Sequence, residues 1–333
     1  MNGQLREAAA LFGLERCKAS EIPEHNGGRN QIIVLENDGG EKYILRISRL
    51  KDRTEEDYLA ETEFVHYLAA HGAPVTDAIK SKNGNFVERI ENAEDNSLFY
   101  VCVFEYARGM LISDNGYRYR KGAPLSEYFY NTGKTLGRIH ALSKEYRPVH
   151  YRADYFDKYN MEYIDKLIPD TYTKLKKAIS SRLDIFSALP KDKASYGLVH
   201  FDFSDGNYHI NMEDGGITVF DFDNAMYCWY MFDLANLWTH GVGWCAFMHD
   251  AQERRAFMTD YFETVLSGYR SETDLPESAS ENVQAFIDMV LIENIVDEFE
   301  CCTRRGEEVD YEDIEAASES LIHDLPWAGF FEE

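Results

Sequence analysis

The chain has 333 residues, with 34 Lys plus Arg against 59 Asp plus Glu, for a formal net charge of −25. A field of that sign repels nucleic acid and anionic membranes, so neither is expected as a partner. Hydrophobic content of 44% beside 28% charged residues predicts a globular protein, and the length suits two lobes better than one small core.

Six cysteines, at 17, 102, 228, 245, 301 and 302, form no Cys-x-x-Cys pair and no zinc-type spacing with His. Free, partly apolar cysteines predict a reducing, cytoplasmic setting. The N-terminus has no basic segment followed by an apolar one, and no apolar run reaches the length of a membrane span.

Residues 4–14 read as a short amphipathic helix, with Leu5, Ala8, Leu11 and Phe12 on one side. Segments 22–26, 31–36 and 42–48 read as a β-meander whose turns fall at Gly27-Gly28 and Asp38-Gly39-Gly40. Glycines in the first turn, His25 to Asn30, let backbone N–H groups approach an anion, although a Gly-Gly turn alone more often marks a plain hairpin. On the third strand, Tyr43, Leu45 and Ile47 face one way and Ile44, Arg46 and Ser48 the other.

A helix is predicted over 55–70 from Leu59, Phe64, Val65 and Leu68, and Gly72 ends it. Glu61, seven residues before Leu68, lies on or near that face. Strands follow at 79–81, 85–90 and 98–105, with Asn83-Gly84 as a hairpin signal. Segment 117–124 reads as a basic loop, and 125–143, 156–167 and 171–188 read as helices. Beyond residue 226 comes an aromatic-dense stretch, 227–244, then amphipathic helices at about 251–269, 281–303 and 310–323. The 281–303 helix carries an acidic stripe, Glu293, Asp297 and Glu300, beside an apolar one.

The chemistry concentrates in 198–223. Leu198-Val199 reads as the end of a strand, followed by a loop holding His200, Asp202 and Asn207. A hairpin turned at Gly215-Gly216 then returns to Asp221 and Asp223, which brings Asn207 and Asp221 close together. An Asn and an Asp supply hard oxygen ligands suited to Mg²⁺. Asp202, five residues before Asn207, faces the same space. A carboxylate near an acceptor hydroxyl, with a metal held by Asn and Asp, is the layout that phosphoryl transfer from ATP requires. A lone Asp-x-Asp is usually an ordinary pair of loop acids; five polar residues in this order between strands are more specific.

The pattern His200-x-Asp202-x-x-x-x-Asn207, followed by Asp221-Phe222-Asp223, resembles the aminoglycoside phosphotransferase and choline kinase-like family. The resemblance implies an α+β, protein-kinase-like, two-lobed fold. A small, mainly antiparallel β N-lobe, 1–106, would bind nucleotide. A larger, mainly helical C-lobe, 107–333, would carry the catalytic loop and the acceptor site. It implies that Asp202 is the catalytic carboxylate, that Asn207 and Asp221 hold Mg²⁺ with Asp223 as helper, and that His200 braces the loop. Asp233, in Asp233-Leu234-Ala235, is a second brace by the same resemblance. Gly27, Gly28, Arg29 and Asn30 would cover the phosphates of ATP. Arg46 would reach the α- and β-phosphates, oriented by Glu61 in preference to Glu63. Glu105 and Ala107 would meet adenine through backbone groups at the crossover between lobes. Gly133-x-x-x-Gly137-x-x-His140 resembles a core helix of the family and makes His140 structural. The chain departs at Phe201, where the family usually has Gly.

The activity implied is transfer of the γ-phosphate of Mg-ATP to a hydroxyl of a small molecule. The acidic stripe and the aromatics admit a cationic acceptor, such as an aminoglycoside, a choline-like alcohol or another amino alcohol. Core aromatics and solvated acids would give the same pattern. A protein Ser/Thr kinase is a rival, disfavoured because only nine residues separate Asp223 from Asp233. A non-catalytic nucleotide-binding regulatory protein would not need Asp202, Asn207 and Asp221 intact; a metal-dependent hydrolase would use them without ATP. Gly133-Lys134-Thr135 lacks the first Gly of a P-loop, and no strand precedes Gly241-Val-Gly243 as a dinucleotide site demands. Oligomeric state leaves no mark in the sequence.

Overall fold

Alternating apolar residues in the first third of the chain build one antiparallel sheet covered on both faces. The computed structural model describes residues 3–22, 30–48, 53–91, 97–276 and 282–327. The strands are β1 Lys18–Glu21, β2 Asn30–Glu36, β3 Lys42–Ser48, β4 Ala78–Ile79, β5 Val87–Glu91 and β6 Leu98–Glu105, in the order β1-β2-β3-β6-β4, with β5 also on β6. Ile33, Leu35, Leu45, Ile47, Val101 and Val103 pack against Ala8, Ala9 and Phe12, which lie on and just beyond helix α1 (Gly3–Leu11). The other face puts Ile44, Cys102 and Phe104 in one apolar cluster with Phe64, Val65 and Leu68 of α2 (Glu55–Ala70). Thr54 starts α2 with a capping box: its hydroxyl accepts the Asp57 N–H and Asp57 accepts the Thr54 N–H.

The first strand departs from expectation. It begins earlier, at Lys18–Glu21, ahead of the 22–26 segment expected, and it is largely exposed. Its segment, Lys-Ala-Ser-Glu, shows no apolar alternation; pairing with Ile33–Glu36 makes it a strand. Ile22 sends its N–H to the Ile32 carbonyl, and residues 23–29 lie outside the described ones.

After Glu105 the chain becomes mainly helical: α3 Leu125–Ser143, α4 Tyr155–Lys158, α5 Met161–Leu167, α6 Thr173–Ser187, α7 Tyr230–Cys245, α8 Ala251–Arg270, α9 Val283–Arg305 and α10 Tyr311–His323. The helix expected over 156–167 is two, because the Asn160 side chain accepts the Tyr163 N–H and caps the second. Gly133 lies inside α3, where a Cβ would stand 1.9 Å from the Val265 carbonyl oxygen on α8. Gly268 answers from α8, where a Cβ would stand 2.0 Å from the Tyr130 carbonyl oxygen. These glycines serve close helix packing. Among the described residues, no helix is long and apolar enough to cross a membrane.

Two small ribbons position the candidate site. Strand β7 (Tyr196–Val199) pairs with β10 (Met226–Trp229), and β8 (Tyr208–Ile210) pairs with β9 (Ile217–Val219). The β8–β9 hairpin is clamped from both sides. Val219 exchanges backbone hydrogen bonds of 2.9 Å with Pro74 and Thr76, and Ile210 exchanges bonds of 2.8 and 3.1 Å with Met110. The second clamp requires Gly109, whose φ is +97° and where a Cβ would lie 2.2 Å from the Ile210 oxygen.

Candidate active site

The strand β7 ends at Val199, and the turn that His200 opens is held from below. Asp233, fully buried near the start of α7, accepts the N–H of His200 at one oxygen and that of Phe201 at the other, both at 2.9 Å. The same carboxylate meets His140 Nε2 at 3.0 Å, and His140 Nδ1 meets the Tyr269 hydroxyl at 3.0 Å. With Asp233 accepting, the His140 proton sits on Nε2 and the Tyr269 hydroxyl donates to Nδ1. Burial lowers the His140 pKa against the pull of Asp233, which keeps the ring neutral.

Phe201 adopts a left-handed φ of +71°. Its ring is 4% exposed and stacks on Phe232 at 4.2 Å with a 5° tilt. An aromatic residue pays for that backbone, about 1–2 kcal/mol, and ring burial offsets the cost. His200 Nε2 donates to the Phe220 carbonyl at 3.0 Å, joining this turn to the hairpin. Phe220 in turn sends its N–H to the Asn207 carbonyl at 2.9 Å. Asn207 and Asp221 therefore flank one end of the hairpin, and Asn207 donates from Nδ2 to the Asp202 carbonyl at 2.8 Å. That bond leaves Asn207 Oδ1 as an acceptor. Burial pushes the Asp202 carboxyl up, while His200 and Asn207 draw it down.

Asp221 also takes a left-handed backbone, φ 62° and ψ 64°. Crowding by the cleft walls and by Asp223 pushes its carboxyl upward against the pull of Arg46, although half of the side chain (52%) is open to the cleft. Arg46 Nη1 stands 3.9 Å from Asp221 Oδ1. The rest of Arg46 is committed to Glu61 through two bonds of 2.8 and 2.6 Å. Burial works against the charge of this guanidinium, and Glu61 outweighs it, holding the pKa well above the ordinary value. Glu63 points elsewhere and accepts the N–H groups of Val149 and His150.

Asp223 gathers N-terminal groups. Asn30 Nδ2 donates to its Oδ2 at 3.1 Å, and Ser48 Oγ holds Asn30 from the other side at 2.6 Å. Arg53 Nε lies 3.5 Å from Asp223 Oδ1. Gly27, Gly28 and Arg29 fall outside the described residues.

Two cavities open on this constellation. One of about 290 Å³ lies between sheet and hairpin, lined by Arg46, Glu61, Asn207 and Asp221 at one end and by Ile44, Phe104, Glu105 and Ala107 at the other. The Ala107 carbonyl accepts from His209 Nδ1 at 2.9 Å, when that nitrogen carries the proton. The second, of about 720 Å³, lies against the turn at Phe201. Phe201, Tyr159 and Tyr163 give it aromatic walls, and Glu293, Asp297 and Glu300 give it an acidic one. Glu300 is already paired, with Lys158 Nζ at 3.0 Å and with the Tyr163 hydroxyl. Burial, with Asp202 and Asp297 nearby, pushes the Glu293 carboxyl up to about 8, while Lys158 opposes. The aromatic run 227–244 mostly does otherwise: Trp229, Tyr230 and Phe232 are core. Arg53, Asn224, Tyr159 and Tyr163 carried no local signal, because each becomes a wall only when distant elements meet.

The phosphotransferase enzyme family model matches residues 21–271. The chain belongs to that family, and it is an enzyme that phosphorylates a small-molecule hydroxyl. Among curated proteins it is 27% identical over 274 residues to amicoumacin kinase of Bacillus subtilis (strain 168), covering 81% of this chain and 76% of that one. Among solved structures it resembles an amicoumacin kinase in complex with AMP-PNP, Ca²⁺ and Ami, with a TM-score of 0.82 and 22% identity over 99% of this chain and 96% of the other. A microcompartment-associated aminopropanol kinase follows at a TM-score of 0.70 and 16% identity, over 97% and 98% of the two chains. The fold is the two-lobed, protein-kinase-like α+β fold that the resemblance implied.

Proposed function

We propose that the smaller cavity binds Mg-ATP, that the larger binds a cationic small-molecule alcohol, and that Asp202 works at their junction. The carrying observation is the convergence of Asn207 and Asp221 on the cleft end of one hairpin, 3.9 Å from the buried Arg46–Glu61 pair. An amide oxygen and two carboxylates form a hard donor set that fits Mg²⁺. Among the described residues no three His, Cys, Asp or Glu form a ready cage, which suits an ion that takes few protein ligands and fills the rest with phosphate and water. When bound, the metal neutralises phosphate charge and draws electron density from the γ-phosphoryl group.

The chain's own groups do the positioning. Arg46, pinned by Glu61, presents fixed positive charge to the phosphates. The Ala107 carbonyl is occupied by His209, which leaves the Ala107 N–H as the hydrogen-bond donor for adenine. Asp202 accepts the hydrogen bond of the acceptor hydroxyl and aims its lone pair at the γ-phosphorus. The new O–P bond forms as the bond to the β–γ bridging oxygen breaks, and the hydroxyl proton passes to Asp202. Asp233 and His200 hold the turn in register.

The acceptor class follows from the larger cavity. Glu300 is neutralised by Lys158, whereas Glu293 and Asp297 have no cationic partner in the described hydrogen bonds or ion pairs. An ammonium group placed there relieves acid–acid repulsion, and Tyr159 and Phe201 offer π faces. Amicoumacin-like compounds and amino alcohols meet that requirement. An ADP-release assay with Mg-ATP over a panel of hydroxylated amines, sugars and proteins tests the reading. Turnover confined to cationic small alcohols is expected; phosphoprotein as product overturns it.

A further inference from the structure

We propose that Arg53 is the group that grips the γ-phosphoryl of ATP during transfer, a role separate from that of Arg46 and resting on the nucleotide reading above. Arg53 stands immediately before Thr54, the cap of α2, yet its guanidinium reaches across to the metal-site acids. Nε lies 3.5 Å from Asp223 Oδ1, and Nη2 donates to Asn224 Oδ1 at 3.1 Å. The same side chain forms part of the wall of the larger cavity. It therefore links the wall of the larger cavity, where the acceptor enters, to Asp223 beside the proposed metal site.

The other cations near this junction are committed. Arg46 is locked bidentate on Glu61. Arg152 is spent on the backbone carbonyls of Asp57, Asp223 and Ala225. Lys158 and Arg304, both on the wall of the larger cavity, lie 3.0 and 3.8 Å from Glu300. Arg46 and Arg53 each bury an Nε–H that finds no hydrogen-bond acceptor among the described residues, but Arg53 differs in that no carboxylate holds its fork bidentate: its Nη2 goes to an amide oxygen and Asp223 Oδ1 stays 3.5 Å from Nε. A buried charged donor without an acceptor is costly, so an oxygen-rich ligand gains by completing it. A γ-phosphoryl group spreads its charge over three oxygens, and a guanidinium fork matches that geometry.

The competing role is a strut that merely ties the start of α2 to Asn224. The two roles separate in binding measurements on nucleotides with and without a γ-phosphate. Calorimetry is run on the full chain with Mg-AMP-PNP and with Mg-ADP, for wild type, Arg53→Ala and Arg53→Lys. Expected is a loss of about tenfold or more in AMP-PNP affinity for Arg53→Ala, with ADP affinity unchanged. Arg53→Lys keeps the charge without the fork and falls between. Equal losses for both nucleotides, or no loss for either, overturn the proposal. Should Arg53→Ala not fold, Arg53→Lys decides by the same contrast. Wild-type protein that binds neither nucleotide overturns the nucleotide reading itself, and this proposal with it.

Discussion

The two cavities beside the 200–207 turn are built on opposite principles. The nucleotide-side cleft is made of committed groups: Arg46 with Glu61, Asp233 with His140, His200 with the Phe220 carbonyl. Its guanidinium is locked on a carboxylate, while Asp221, 3.9 Å from it, is pushed up by burial and by Asp223. The acceptor-side cavity is wider and under-paired. Its acids repel one another, and one of them, Glu293, holds its proton up to about 8. The difference teaches where each kind of selectivity resides. A triphosphate is the same ligand everywhere, so a rigid, pre-paired site serves it. An acceptor is recognised by what the protein leaves unsatisfied.

The sharpest way to break this comparison is at the junction. Asp202→Asn is expected to lower kcat about a thousandfold while Mg-ATP affinity, read by calorimetry, stays at the wild-type value. Comparable turnover would remove Asp202 from the chemistry. Next in size is the committed pair. Glu61→Ala leaves Arg46 buried without its carboxylate and is expected to cost about 3–5 kcal/mol of folding stability, measured by urea unfolding. A neutral outcome would show that Arg46 is less buried in solution than its 3% exposure implies.

The acceptor side should respond in affinity, not in folding. Assayed above about pH 8, where Glu293 is ionised, Glu293→Gln is expected to raise the acceptor KM about tenfold with the ATP KM unchanged, once an acceptor is in hand from the ADP-release panel. The sign of the pH effect is fixed. The folded-state pKa of Glu293 lies above its ordinary value, so the folded protein holds a proton that the unfolded chain releases. Its contribution to stability is full below the ordinary carboxyl pKa and is lost as pH rises through about 8. Thermal midpoints from pH 5 to 9 should therefore fall less steeply in Glu293→Gln than in wild type. The smallest effect concerns Phe201. Both Phe201→Ala and Phe201→Gly lose the stacked ring, but only Gly tolerates φ +71° without strain. The Gly variant should be about 1 kcal/mol more stable than the Ala variant, and equal stabilities would mean that the turn relaxes.

Legibility followed the same divide. Asn207 and Asp221 sit fourteen positions apart in a hairpin announced by Gly215-Gly216, so their meeting could be read locally. Arg46 and Glu61 needed only the facing of one strand and one helix. The acidic stripe on α9 was visible as a stripe, but not that Glu300 would be taken by Lys158. Arg53 was invisible, since its meaning depends on Asp223 and Asn224, about 170 residues away. Strand β1 left no trace in the sequence because the neighbour, not its own composition, makes it a strand.

By itself, the sequence determined the period of most strands and helices and the turn that folds 208–219 back on itself, and hence that Asn207 and Asp221 flank one end of that hairpin. Those are consequences of backbone geometry over short distances. Only the tertiary structure decided which acids stay unpaired, which guanidinium reaches Asp223 from the wall of the larger cavity, and why Gly133 and Gly268 must be glycine. Such features arise where helices and strands far apart in the chain come into contact, and no local periodicity encodes which of them will meet.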